Sequence, residues 1–411
     1  MGLAARAAHG SAMSARKSDT VLGMPAAPPL LERLGVRYFR RLSGGSSVVD
    51  VDGIHVLNRD ERARLRAIQR GAIVRACVAG ALSTVVAGTT EIALRRRIDV
   101  DHASLEGAAE FWAVLGGVTA VAAVLEIAFL YWDGLRSVHR LAMTAGLDLF
   151  PTAGGAAGEG ARQHEEELRV AGAMARAALE LPNPTAELFG VDPRRDASRV
   201  RLALASVVYK AKVSVSNFVV KALVRRALGR AMVRSFLPLV AVPITAAWNG
   251  FVCWLVLREA RIRAMGPSAT KEMVAAVFDG AGELSVEGRG AAVRAVASSI
   301  VRTRDMHPNL AVLLGEVIAR VGDARIDAID DARLFLLRLG SLSSGEQALV
   351  LRVLAIATII DGRVTSAESR LLADAQRACG RAPDLGPARR LRRAFLSGTA
   401  ISPASLREIA G

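Results

Sequence analysis

Long apolar stretches dominate the chain as far as residue 257. Residues 72–94 and 111–132 are almost continuously apolar; Arg95, Arg96 and Arg97 close the first, and Tyr131 with Trp132 closes the second. About 20 apolar residues carry a helix across a bilayer core. Neither run has a polar face at helical period, as a helix lying on a soluble core would. The pair therefore predicts a transmembrane hairpin. A third run, 236–257, is interrupted by Pro238, Pro243 and Asn249, and by itself can span, re-enter or pack into protein. From 266 onward the apolar residues return to helical spacing, which predicts a soluble helical domain. Its strongest element is 347–380, two helices joined by a tight turn at Asp361 and Gly362.

The remaining pattern completes an all-α chain. Residues 1–29, rich in Ala, Ser, Gly and Pro without a continuous apolar core, read as a disordered lead rather than a signal peptide. Residues 30–43 form a short basic amphipathic helix, 48–57 a brief extended stretch, and Asn58 or Asp60 a cap for the helix that follows. Residues 150–160 are a linker by composition, and 165–181 are a helix. From 198 to 235 the chain predicts a long basic helix, on which Arg226, Arg230 and Arg234 share one side. The domains expected are thus 1–29, 30–150, 160–265 and 266–411.

Charge sets an orientation. Arg33, Arg37, Arg40, Arg41, Arg59, Arg62, Arg64, Arg66 and Arg70 precede the hairpin, and Arg136 and Arg140 follow it. The connecting loop instead offsets its arginines with Asp99, Asp101, Glu106 and Glu110. The positive-inside rule places both outer ends in the cytoplasm. A full crossing by 236–257 would then put the last domain outside, so that run is expected to be re-entrant or protein-buried. The net charge of +15, from 54 Lys and Arg against 39 Asp and Glu, attracts anionic surfaces. Lys221, Arg225, Arg226, Arg230 and Arg234 are the candidates to face anionic lipid, because their helix runs straight into an apolar segment. No nucleic-acid motif accompanies the charge. Three separated cysteines and six scattered histidines suggest neither a disulfide framework nor a zinc site.

Candidate chemistry is sparse. Arg75, Glu91 and Glu126 lie within the first two runs, and charges at such depth are paired or functional. In an antiparallel hairpin Arg75 and Glu126 can meet, and Glu91 with Arg95 makes an i,i+4 pair. Either these fix the hairpin's register or they handle an ion, and register is the favoured reading. Ala76, Gly80 and Thr84, and Gly116 with Ala120, make small-residue ridges suited to hairpin packing or a homo-oligomer. Nucleophile, nucleotide-binding and metalloprotease motifs are missing, so no catalytic residue or organic cofactor is expected. Asp361 with Glu368 could bind a divalent cation, but two carboxylates are few for calcium. Gly362 as a turn residue and Ser366 as the next helix cap give a purely structural account.

Two resemblances add to this. The stretch VLAIATIIDGRVTSAESRLLADAQRACG (353–380) resembles the tellurite-resistance TerB-like family at Asp361, Gly362, Val364 and Glu368. That resemblance implies an all-helical domain tied to membrane-associated stress systems, with the acidic turn as the metal candidate. Residues 226–265 look like the EcsC family at Pro238, Asn249 and Arg261. The joint expectation is a bacterial inner-membrane protein with its N-terminal region and last domain cytoplasmic. It would be a non-enzymatic scaffold or sensor in envelope or metal and oxyanion stress, with a protein partner at the last domain. The alternatives are a transport-associated protein using the intramembrane charges and an enzyme with an unrecognised site.

Overall fold

A computed structural model describes residues 29–43, 56–98, 104–150, 160–183, 188–193, 237–279, 281–322 and 328–410. The expected lead (but for Pro29), most of the extended stretch, most of the linker and the basic helix 198–235 lie outside the described residues. So do its five candidate lipid-facing residues, Lys221, Arg225, Arg226, Arg230 and Arg234. Among the described residues the fold is all-α, with twelve α-helices, a closing 3-10 turn and no strand.

The first four helices are α1 (Leu30–Ser43), α2 (Arg59–Arg97), α3 (Leu105–Thr144) and α4 (Gly160–Ala178). Asn58 starts α2 with a capping box: its Oδ1 accepts the Glu61 N–H at 2.8 Å, and the Glu61 carboxylate accepts the Asn58 N–H at 2.8 Å. Arg95, Arg96 and Arg97 end it, where the helix dipole favours cations. Helix α5 (Leu237–Phe278) runs without interruption through the third apolar run into the following domain.

Helices α2, α3 and α5 pack side by side. Ala72, Ala76, Gly80, Thr84 and Gly88, four apart on α2, are its buried stripe, and on part of its length this stripe meets α5. A Cβ on Gly80 would stand 2.5 Å from the Asn249 amide and 3.0 Å from the Thr245 carbonyl; one on Gly250 would stand 2.5 Å from Cys77 Sγ. Rising numbers on α5 meet falling numbers on α2, so the two run antiparallel. Of the small residues expected to pack the hairpin, those on α2 thus line the contact with the third helix, while Gly116 and Ala120 on α3 are exposed.

The third run, expected to be re-entrant or protein-buried, belongs to one continuous helix, and among the described residues three helices are long and apolar enough to cross a membrane. The expectation rested on the premise that α5 starts at the same end of the bundle as α2, and the antiparallel contact removes that premise. The residues Leu188–Pro193 pack at the domain end, with Phe189 against Gly315 and Gly190 against Ile329. Leu237 instead begins toward the opposite end, where α2 finishes. A crossing by α5 therefore leaves the domain on the same side as the start of α2.

The domain comprises α6 (Val286–Thr303), α7 (Pro308–Val321), α8 (Ala332–Leu339), α9 (Ser344–Ile359), α10 (Ser366–Ala378), α11 (Gly386–Ser397) and α12 (Pro403–Arg407). Helix α9 is its axis, buried almost all round from Leu349 to Ile359. The expected boundary at 266 falls inside α5. Pro267 removes a backbone donor, yet the helix continues. Asn309 fits where Gly266 has no side chain and donates to the Ile262 carbonyl at 3.0 Å and the Ile360 carbonyl at 2.8 Å. The Leu57 N–H donates to Gly398 at 2.9 Å and docks the domain on the start of α2.

Candidate functional site: bundle charges and the bundle–domain junction

Within or next to the apolar runs Thr84, Glu126, Asp133, Thr245 and Asn249 each have a partner on another helix or on their own backbone. Arg75 donates Nε to Asp133 at 2.8 Å and a second nitrogen to Ser137 at 3.2 Å. Glu126 accepts the Asn249 amide at 2.6 Å. The expected Arg75–Glu126 pair is therefore replaced by Arg75–Asp133 and Asn249–Glu126. The reason is register: Asp133 lies seven residues past Glu126 on the same face of α3, about 10 Å along the axis, level with Arg75. Glu126 sits level with Gly80, whose missing side chain leaves room for Asn249. Glu91 and Arg95 form their i,i+4 pair at 3.0 Å.

At the junction, Glu259 of α5 gathers one histidine and two arginines. His307 Nε2 lies 3.0 Å away, Arg263 Nε 2.9 Å and Arg363 3.5 Å. Burial alone would push the Glu259 carboxyl up; the His307 hydrogen bond, with the charge and hydrogen bond of Arg263, outweighs it and holds the group far below the usual range. His307 Nδ1 accepts the Asn309 N–H as the cap of α7, so the ring donates to Glu259 through Nε2. Arg263 also donates to the Ala173 carbonyl at 2.7 Å and to Asn183 at 2.9 Å. One carboxylate thereby ties α5 to α7, and its arginine ties α5 to α4.

The turn after α9 lies against the same stretch of α5. Gly362 has φ +73°, and a Cβ there would strike Ile262, so glycine is required on both counts. Its carbonyl accepts from Arg258 at 2.9 Å and from Arg392 at 3.1 Å. Thr365, not Ser366, caps α10. Glu368 accepts the Thr365 N–H and hydroxyl, each at 2.9 Å, and its other oxygen accepts from Ser299 at 3.1 Å. Asp361 accepts the Arg363 N–H at 2.8 Å. Burial, then the nearby Glu368 charge, pushes the Asp361 carboxyl up to about 7, and burial also raises Glu368. Among the described residues no group of three or more His, Cys, Asp or Glu is placed to hold a metal ion.

Sequence reasoning missed Asp133, Glu259, His307 and Asn309. Only the Glu259–Arg263 spacing gave a local signal; the other contacts join residues far apart in the chain. The chain matches no protein-family model, no curated protein and no solved structure.

Proposed function

We propose that this protein is a non-enzymatic membrane-anchored scaffold or sensor, with α2, α3 and α5 crossing the bacterial inner membrane and the α6–α12 domain in the cytoplasm. The supporting observation is the character of the bundle surface. Val121, Val124 and Leu125 are 61%, 65% and 65% exposed, and the most apolar stretch of α3 has no buried residue. An apolar face of that extent is covered by lipid or protein. Arginines concentrate at the domain end, with Arg62, Arg64, Arg66, Arg140 and Arg261, which supports a cytoplasmic domain. The resemblance to TerB-like proteins is what suggests envelope or metal and oxyanion stress as the setting. The partnered state of Arg75 and Glu126 favours this reading over an ion-handling one.

Single cysteines at Leu105 and Arg302, with Cys77, Cys253 and Cys379 replaced by Ala, test the topology. An impermeant maleimide applied to intact cells is expected to label the first and spare the second until the membrane is opened. Labelling of both from outside, or recovery of the chain in the soluble fraction, would refute the reading.

A further inference from the structure

At the domain end of the third apolar run a cavity of 210 Å³ opens between α5 and α11, lined by Gln69, Trp254, Arg258, Arg261, Phe395 and Leu396 among others. Its charged lining is of one sign. Arg258 has partial compensation: it donates to the Gly362 carbonyl and feels Glu259 and Asp361, against the like charges of Arg392 and Arg363. Arg261 has less. Its Nε is buried without a hydrogen-bond partner, and the charge that presses on it is Arg62. Burial, then those like charges, lowers the pKa of both guanidinium groups. Arg261 is half-buried with its Nε fully shielded, and a cation shielded from water without a counter-charge is costly, so this cavity is electrostatically incomplete.

The missing group can be specified. A guanidinium offers planar, forked donors that match a phosphate, and Gln69 adds an amide. Phe395, Leu396 and the half-exposed Trp254 supply apolar walls. Trp254 stands near the end of the apolar run, at the depth where tryptophan meets headgroups. We propose that this cavity binds a phosphate-bearing anion, either the headgroup of an anionic phospholipid in the near leaflet or a soluble phosphate monoester. The lipid source rests on the membrane anchoring proposed above; the anion site does not. Because Arg258 also holds Gly362, the bound anion sits against the turn that joins bundle and domain.

Thermal unfolding of the full chain in neutral detergent tests this. Dioleoyl-phosphatidylglycerol, but not dioleoyl-phosphatidylcholine, is expected to raise the melting temperature of the wild type. Arg261→Gln is expected to weaken the response by about tenfold in apparent affinity or more, and without added anion to melt no lower than the wild type. Leu396→Trp fills the cavity while keeping every charge, and is expected to abolish the response as well. Glycerol phosphate and inorganic phosphate form a second arm. A response to them identifies a soluble source, and a response to phosphatidylglycerol alone identifies the lipid. If the wild type responds to no anion, or if its response survives in both variants, the site is refuted. Membrane fractionation of the same preparations keeps that result separate from any failure of the anchoring.

Discussion

The contact between α2 and α5 predicts opposite outcomes for two glycines in similar helices. At Gly80 an alanine Cβ would lie 2.5 Å from the Asn249 amide and 3.0 Å from the Thr245 carbonyl, whereas at Gly117 it would meet nothing within 4 Å. Helix propensity alone favours alanine by about 1 kcal/mol at either position. At Gly80 that gain is opposed. The Thr245 carbonyl is backbone and cannot turn aside, and Asn249 is held at 2.6 Å by Glu126. Overpacking of this kind costs about 1–3 kcal/mol. Disturbing the Asn249–Glu126 bond adds about 0.6 kcal/mol, the average for polar contacts between helices in a membrane. Gly80→Ala should therefore destabilise by about 1–2 kcal/mol net, and Gly117→Ala should stabilise by up to about 1 kcal/mol. Equilibrium unfolding in mixed micelles, followed by far-ultraviolet circular dichroism, reads both. Equal shifts of the same sign would mean that α5 does not lie against Gly80.

Two further predictions use the polar contacts. A double-mutant cycle on Arg75→Gln and Asp133→Asn should give a coupling of about 1 kcal/mol, while the same cycle on Arg75 and Glu126 should give nearly none; the reverse would restore the pair expected from sequence. The Asp361 carboxyl titrates near 7 in the fold and near 3.8 when unfolded. Between those values the folded state binds the extra proton, so its contribution to stability is complete below about pH 3.8 and is lost as pH rises to about 7. Asp361→Asn keeps an oxygen for the Arg363 N–H and should remove this loss, raising stability by a few kcal/mol (on the order of 1.4 per pKa unit) at pH 8 relative to pH 5. An unchanged pH profile for Asp361→Asn would refute the burial argument.

What could be read in the sequence was local. The apolar runs, the Asn58 cap, the Glu91–Arg95 pair and the turn at Gly362 each depend on residues within about one helical turn, so spacing and residue type suffice. The Arg75 partner was not legible, because it depends on the hairpin's register, and a shift of two turns exchanges Glu126 for Asp133 without altering the hydrophobic pattern. The direction of α5 was not legible either. It depends on how the chain gets from Pro193 to Leu237, which no property of 236–257 reveals. The boundary at 266 followed the return of apolar residues to helical spacing, a signal that does not reveal that α5 runs on to Phe278; the Asn309 side chain packed at Gly266 comes from another element.

That continuity bears on how the protein could sense anything. A helix of 42 residues is about 63 Å long at 1.5 Å per residue, twice the thickness of a bilayer core of about 30 Å. A crossing by the first half of α5 would therefore leave the other half beyond the bilayer, inside the domain. Pro267 would ordinarily make a hinge there and uncouple the halves. Here Asn309 bonds the Ile262 carbonyl just before the proline and the Ile360 carbonyl at the end of α9, so it braces the break against the domain's axis. One α5 turn earlier, Arg258 holds the Gly362 carbonyl. The membrane-facing part of α5 and the Asp361–Thr365 turn are thus joined at two points, both on the N-terminal side of Pro267. A force acting on the first half of α5, or an anion against Arg261 one turn beyond it, must move that turn with it or break these bonds.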